Sequence, residues 1–165
     1  MDKPLVAVSA CLLGQKVRYD GKDKYSALIS EELAKSCQLI AVCPEMEIGL
    51  GVPREKIQLT QVGSEIKVLK INAPAVDVSK PLIDFALQFI QQHALSGLVL
   101  QDKSPSCGLG NTSLFSVSGS QIGTGSGLFA STVMSRRPSL PVVLASQLQS
   151  RQDVSYFLQS LLKNQ

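Results

Sequence analysis

Short apolar runs alternate along this chain with stretches in which apolar positions recur every three or four residues. Leu5 to Ser9 is short and β-branched, bounded by Pro4 and Gly14, and predicts a first strand. A helix is expected from about Ser26 to Ser36, with Leu28, Leu33 and Ala34 on its inner side, and Gln38 to Val42 predicts a second strand. Lys56 to Gln61 and Glu65 to Ile71 alternate apolar and polar residues around Val62-Gly63-Ser64, the pattern of a hairpin with one wetter face.

Ser79 is placed to cap a long helix whose stripe is Leu82, Ile83, Ala86, Phe89 and Ile90 and which stops before Gly97. Leu98 to Leu100 predicts a buried strand. The Gly/Ser-rich region from Gly108 to Gly127 predicts a loop with a short hairpin, followed by a helix beginning near Gly127. Val142 to Ala145 gives a last strand. After Ser150 the positions Val154, Phe157, Leu158, Leu161 and Leu162 define an amphipathic C-terminal helix. The alternation predicts one α/β domain over residues 1–165, a mainly parallel Rossmann-like sheet with helices on both faces and a small β-hairpin.

A chain of 165 residues with 44% hydrophobic and 18% charged residues buries a continuous core without staples. Its 16 basic and 13 acidic residues give a net charge of +3, and the basic residues are scattered. That balance mildly favours anionic ligands but supplies no basic stripe for a phosphate backbone. With aromatics at 5% and no Trp, no stacking platform for single strands is expected, and nucleic acid is a poor partner.

The apolar run ending at Cys11 is too short for a signal peptide or a membrane span, and nothing later reaches membrane length. A soluble cytoplasmic protein with no membrane partner is expected. In that reducing compartment four cysteines read as metal ligands, a catalytic thiol or core residues before they read as disulfides.

Three of them fall at predicted strand ends: Cys11 after the first strand, Cys43 at the end of the second, and Cys107 in the loop after residues 98–100. Ligand crevices of open α/β sheets lie outside the carboxyl ends of the strands, so these distant residues are expected to converge. Gly14 follows Cys11, Pro44 follows Cys43, and Cys107 lies in Ser104-Pro105-Ser106-Cys107-Gly108, contexts that aim a side chain with little freedom. Three thiolates leave one position open, on an iron of a [4Fe–4S] cluster or on a catalytic zinc ion, and the count does not separate the two. Buried free cysteines with no shared role are the plainer alternative. Cys37, near a predicted helix end, is expected to be a non-ligand.

Ser9-Ala10-Cys11-Leu12-Leu13-Gly14 with Val17-Arg18-Tyr19-Asp20-Gly21, then Cys43-Pro44-Glu45 with Gly49-Leu50 and Pro53-Arg54, then Ser104-Pro105-Ser106-Cys107-Gly108 resembles the DUF523 family, which includes the bacterial thiouracil desulfidases. The three motifs occur in order through residue 130, and Gln101-Asp102-Lys103 departs from the family's usual run. The resemblance implies a [4Fe–4S] cluster bound by Cys11, Cys43 and Cys107, in an enzyme that replaces the sulfur of a thiolated pyrimidine with oxygen. It also implies that Glu45 and Ser104 are catalytic. On this reading the substrate sulfur binds the open iron, Glu45 takes a proton from the attacking water, and sulfide leaves without net redox change.

Candidate substrate contacts are Ser9, Arg18, Tyr19, Ser106 and Gly125. Gly119, Gly123, Gly125 and Gly127 lead into a predicted helix, an arrangement able to present N–H groups to an anion or simply to pack closely. Arg18 and Asp20 are equally suited to a loop-bracing ion pair. The plainer roles of Glu45 and Ser104 are a surface ion pair with Arg54 and a turn-capping hydroxyl. His93, the only histidine, is expected half-buried at a helix end, and Glu31-Glu32 on an exposed helix face. Beside the desulfidase stand a cluster-binding sensor or sulfur carrier, disfavoured by Glu45 beside a ligand, and a three-Cys zinc hydrolase.

Overall fold

Val6, Ala7 and Val8 of β1 (Leu5–Ser9) are all fully buried, so the strand has no solvent face and takes a central place. In the computed structural model, which describes residues 2–163, β1 pairs in parallel with β2 (Gln38–Val42) on one side and β5 (Gly97–Leu100) on the other. β8 (Val142–Leu144) adds in parallel to β5, giving the order β2-β1-β5-β8. The chain thus leaves β1 in one direction and returns on its other flank. The crevice between the carboxyl ends of β1 and β5 is the topological switch point.

Helices cover both faces. On one, Ala86 and Phe89 of α2 (Ser79–Gln92) and Phe129, Ala130 and Val133 of α3 (Leu128–Arg136) pack on Ala7, Leu98 and Leu100. On the other, Val154, Phe157 and Leu161 of α4 (Arg151–Leu162) pack with Ile29 and Leu33 on Val6, Val8 and Val99. Ser150 caps α4 by accepting the Asp153 N–H. The predicted stripe holds except at its last position, where Leu162 is 64% exposed.

The expected hairpin is one half of a second sheet. β3 (Ile57–Val62) and β4 (Glu65–Lys70) form it, and β6 (Thr112–Ser116) with β7 (Gln121–Gly125) forms another inside the glycine-rich region. A parallel pairing of β3 with β6 joins them in the order β4-β3-β6-β7. Ile57, Leu59 and Val68 of this sheet meet Leu82 of α2 and Leu128 of α3 in a third core.

Two local expectations need correction. The segment from Ser26 to Ser36 is a wide π-helical turn, Leu28–Glu32, running into a 3-10 turn, Leu33–Lys35. The wider turn rotates the inner face, so Ile29 and Leu33 are buried while Leu28 and Ala34 are only partly so. Ser79 does not cap α2. It is the first helical residue, Val78 holds the cap position, and the Ser79 hydroxyl accepts the Val68 N–H. Among the described residues no helix is long and apolar enough to cross a membrane.

Candidate active site

Cys11 lies in a 3-10 turn, Ala10–Leu13, that begins where β1 ends and closes on Gly14 at φ 89°, a left-handed conformation that favours glycine. Cys43 is the N-cap of the short helix α1 (Pro44–Glu47), with Pro44 preset at the first helical position. Cys107 sits in a tight loop after β5, where the Ser104 hydroxyl accepts the N–H groups of Ser106 (3.2 Å) and Cys107 (3.0 Å). The capping role expected of Ser104 is therefore real, and it fixes the cysteine's backbone. The start of α3 braces the same loop: Gly127, Leu128 and Ala130 donate to the carbonyls of Gly108, Pro105 and Ser106.

All three cysteines line one cavity of about 520 Å³, together with Ser9, Glu45, Ser104 and Ser106. Burial pushes the Cys11 thiol up to about 11, with Arg18 opposing and Cys43 adding to the rise. Burial likewise raises Cys43 and, most strongly, Cys107, where the Ser9 hydroxyl opposes and Glu45, Cys43 and Cys11 add. These mutual effects are those of sulfurs sharing a small volume. Bare thiolates are disfavoured there, so a metal centre that neutralises them suits the donor set.

Among the described residues no three His, Cys, Asp or Glu side chains form a group able to hold a single metal ion. Cys37 is buried in the α4-side core, away from the cavity lining.

Glu45, in the first turn of α1, has both oxygens engaged. Oε1 accepts from Arg54 Nε at 3.1 Å and Oε2 from Ser106 Oγ at 2.6 Å. The Arg54 partnership is the expected one, but it is inside the protein rather than at its surface, the side chains being 6% and 15% exposed. Arg54 is held in turn by the carbonyls of Val17 (2.8 Å) and Gly51 (2.9 Å). The Ser9 hydroxyl accepts the Gln101 N–H at 2.9 Å, tying the ends of β1 and β5 across the switch point.

Arg18 and Tyr19 line the cavity. Asp20 accepts the Lys22 N–H within its own turn, and no ion pair with Arg18 forms among the described residues. Gly125 stands outside the lining, paired with Thr112 and facing Leu59. The anion-binding reading of the glycine run gives way to the packing one, because the N–H groups at the start of α3 are taken by the Cys107 loop. A Cβ on Gly127 would come within 2.3 Å of the Ser106 carbonyl carbon. His93 is half-buried at the end of α2, its ring 4.6 Å from that of Phe89. Glu31 is exposed as expected, whereas Glu32 pairs with Lys35.

Lys24, Lys56, Gln58 and Lys103 also line the cavity and were not singled out from the sequence. A signal existed for two of them: alternation in β3 sends Ile57 and Leu59 into the core and leaves Lys56 and Gln58 on the other face. Lys56 lies 4.8 Å from the centre of the Tyr19 ring, a cation–π contact at the cavity.

Residues 6–144 match the 2-thiouracil desulfurase family. No curated protein matches the sequence. Among solved structures, the [4Fe-4S]-dependent thiouracil desulfidase TudS (DUF523Vcz) is similar, with a TM-score of 0.70 and 28% sequence identity over 96% of this chain and 99% of that one.

Proposed function

This chain belongs to the 2-thiouracil desulfurase family, and from that premise we propose that it is a [4Fe–4S]-dependent desulfidase converting a thiolated pyrimidine, such as thiouracil, to its oxo form with release of sulfide. The observation that carries the reading is the meeting of Cys11, Cys43 and Cys107 with Glu45 and Ser104 around one cavity at the switch point. Cys11, Cys43 and Cys107 are the residues that would hold the cluster. Bound by three thiolates, such a cluster supplies an iron without a protein ligand, a soft Lewis-acid position suited to a thiocarbonyl sulfur.

The chain's own groups serve the rest of the reaction. Glu45 is the base that removes a proton from water as the oxygen attacks the ring carbon. Arg54 and Ser106 fix its two oxygens, so the carboxylate does not turn away. Ser104, at hydrogen-bonding distance from Ser106 (3.2 Å), orients the ring beside the loop that carries Cys107. The C=S bond is replaced by C=O and the oxygen comes from water. Sulfur departs as sulfide with the protons water brought, so no electron enters or leaves. Arg18, Lys24 and Lys56 form no carboxylate ion pair among the described residues and favour an electron-rich substrate. Four free thiols suit a reducing cytoplasm.

The test is to reconstitute the protein anaerobically, count iron, and measure sulfide released from 2-thiouracil, 4-thiouracil and 4-thiouridine. About four irons per chain and stoichiometric sulfide support the reading. An intact cluster with no sulfide from any of the three removes the substrate class, and a colourless zinc protein removes the cofactor.

A further inference from the structure

Lys103 has φ 60° and is the only non-glycine residue in the left-handed region among the described residues. A side chain with a Cβ adopts that conformation at a cost in free energy, and a glycine would not. The conformation is held by a clamp. The Lys103 N–H donates to Asn111 Oδ1 at 3.1 Å, and Asn111 Nδ2 donates to Asp102 Oδ1 at 3.1 Å. The same Asp102 carboxylate accepts the N–H of Ser146 at 2.9 Å and also its hydroxyl. The loop after β5 is thereby fastened both to the start of β6 and to the turn after β8.

What the clamp delivers is a lysine at the cavity, immediately before Ser104. Its side chain is exposed and its ammonium forms no hydrogen bond or ion pair with any described residue, so the clamp holds the strained backbone while the charge is left without a partner inside the fold. Strain of this kind beside a cavity is characteristic of ligand clamps. Arg18, Lys24 and Lys56 share the cavity, but none of them has a left-handed backbone.

We infer that Lys103 is a substrate-binding residue whose ammonium meets negative charge on the thiolated pyrimidine. The inference rests on the desulfidase reading above and names a group that recognises the substrate of that same site. Two parts of such a molecule can carry the charge: the ring itself, whose N–H is acidified by the neighbouring thiocarbonyl, or an acidic substituent such as a phosphate. Either would be met by a charge-assisted hydrogen bond from a lysine on the cavity lining.

The experiment uses anaerobically reconstituted holoenzyme as wild type, Lys103→Met, Lys103→Arg and Lys103→Gly. Three quantities are read: KM and kcat for sulfide release, calorimetric Kd for two unreactive anions, and the urea midpoint. Barbiturate carries its charge on the ring, and uridine 5′-monophosphate carries it on a substituent. Lys103→Met is expected to raise KM and weaken at least one of the two anions about tenfold, with Lys103→Arg recovering part of the loss. The anion affected identifies where the charge resides. Lys103→Gly is expected to show the same binding loss with a higher urea midpoint, a pairing that a merely structural lysine would not produce. If the wild type releases sulfide while Lys103→Met keeps KM and both Kd values within about twofold, the inference is overturned. A wild type that releases no sulfide yet binds the anions through Lys103 overturns the desulfidase reading and leaves Lys103 as a binding residue.

Discussion

Ser106 Oγ donates a 2.6 Å hydrogen bond to Glu45 Oε2, joining the Cys107 loop to the turn that carries Cys43 across 61 positions of sequence. Ser106 is fully buried, and with Arg54 on Oε1 it leaves the carboxylate a single orientation. Ser106→Ala removes one of the two restraints without touching a cysteine. The expected result is a fall in kcat of about tenfold or more, with the visible absorbance of the cluster unchanged. Sulfide release and the absorption spectrum, measured on the same sample, check this; an unaltered kcat would show that the contact serves only the fold.

Arg54 is the hub on the other side of Glu45, donating to the Glu45 carboxylate and to the carbonyls of Val17 and Gly51. Its replacement by Met leaves a largely buried carboxylate without its counter-charge and two carbonyls without a donor. Loss of one partner of such a pair costs about 3 kcal/mol or more, so the urea midpoint of Arg54→Met is expected to drop clearly below that of the wild type. Arg54→Lys keeps the charge but not the fork of donors and is expected to fall between the two.

The parts of this fold legible in the sequence are those decided by local periodicity. β1 and β2 carry continuous apolar runs, and Val154, Phe157 and Leu161 mark the inner face of α4. The convergence of Cys11, Cys43 and Cys107 followed from strand ends alone. The short hairpin expected between Gly108 and Gly127 is β6 with β7, but the parallel pairing of β3 with β6 did not follow, because it joins two hairpins far apart in the chain and no local pattern marks which strand meets which. The partners of Glu45 divide the same way. Arg54 lies nine residues on and was a natural candidate, whereas Ser106 reaches Glu45 only through the tertiary fold. The left-handed backbone of Lys103 has no local signal, since a lysine gives no hint of positive φ.

Gly127 holds the start of α3 against the Cys107 loop. A Cβ there would lie 2.3 and 2.4 Å from the carbonyl carbon and oxygen of Ser106 and 2.7 Å from the Cys107 nitrogen. These are backbone atoms, so relief requires the loop itself to move. Gly127→Ala is expected to lower stability by about 2 kcal/mol or more and to reduce iron bound per chain after reconstitution. Denaturant unfolding and iron analysis check it. Full iron loading at wild-type stability would mean that the loop yields freely.

Cys11 and Cys37 are both pushed by burial from an ordinary thiol value of 9.0 to about 11, one in the cavity and one in the core beneath α4. In the metal-free protein both stay protonated in the folded state between these values, while the unfolded chain ionises above 9. The unfolded state then binds fewer protons than the native one, so the stability present below pH 9 is lost as pH rises toward 11. A urea midpoint that declines over that window is the expected outcome. Cys37→Ala is expected to make the decline shallower without changing how much iron the protein takes up, because Cys37 stands apart from the cavity. Cys11→Ala is expected to flatten the same curve but also to abolish stable iron binding. A Cys37→Ala protein that fails to bind iron would place the fourth thiol among the ligands, and the open iron on which the proposed chemistry depends would be gone.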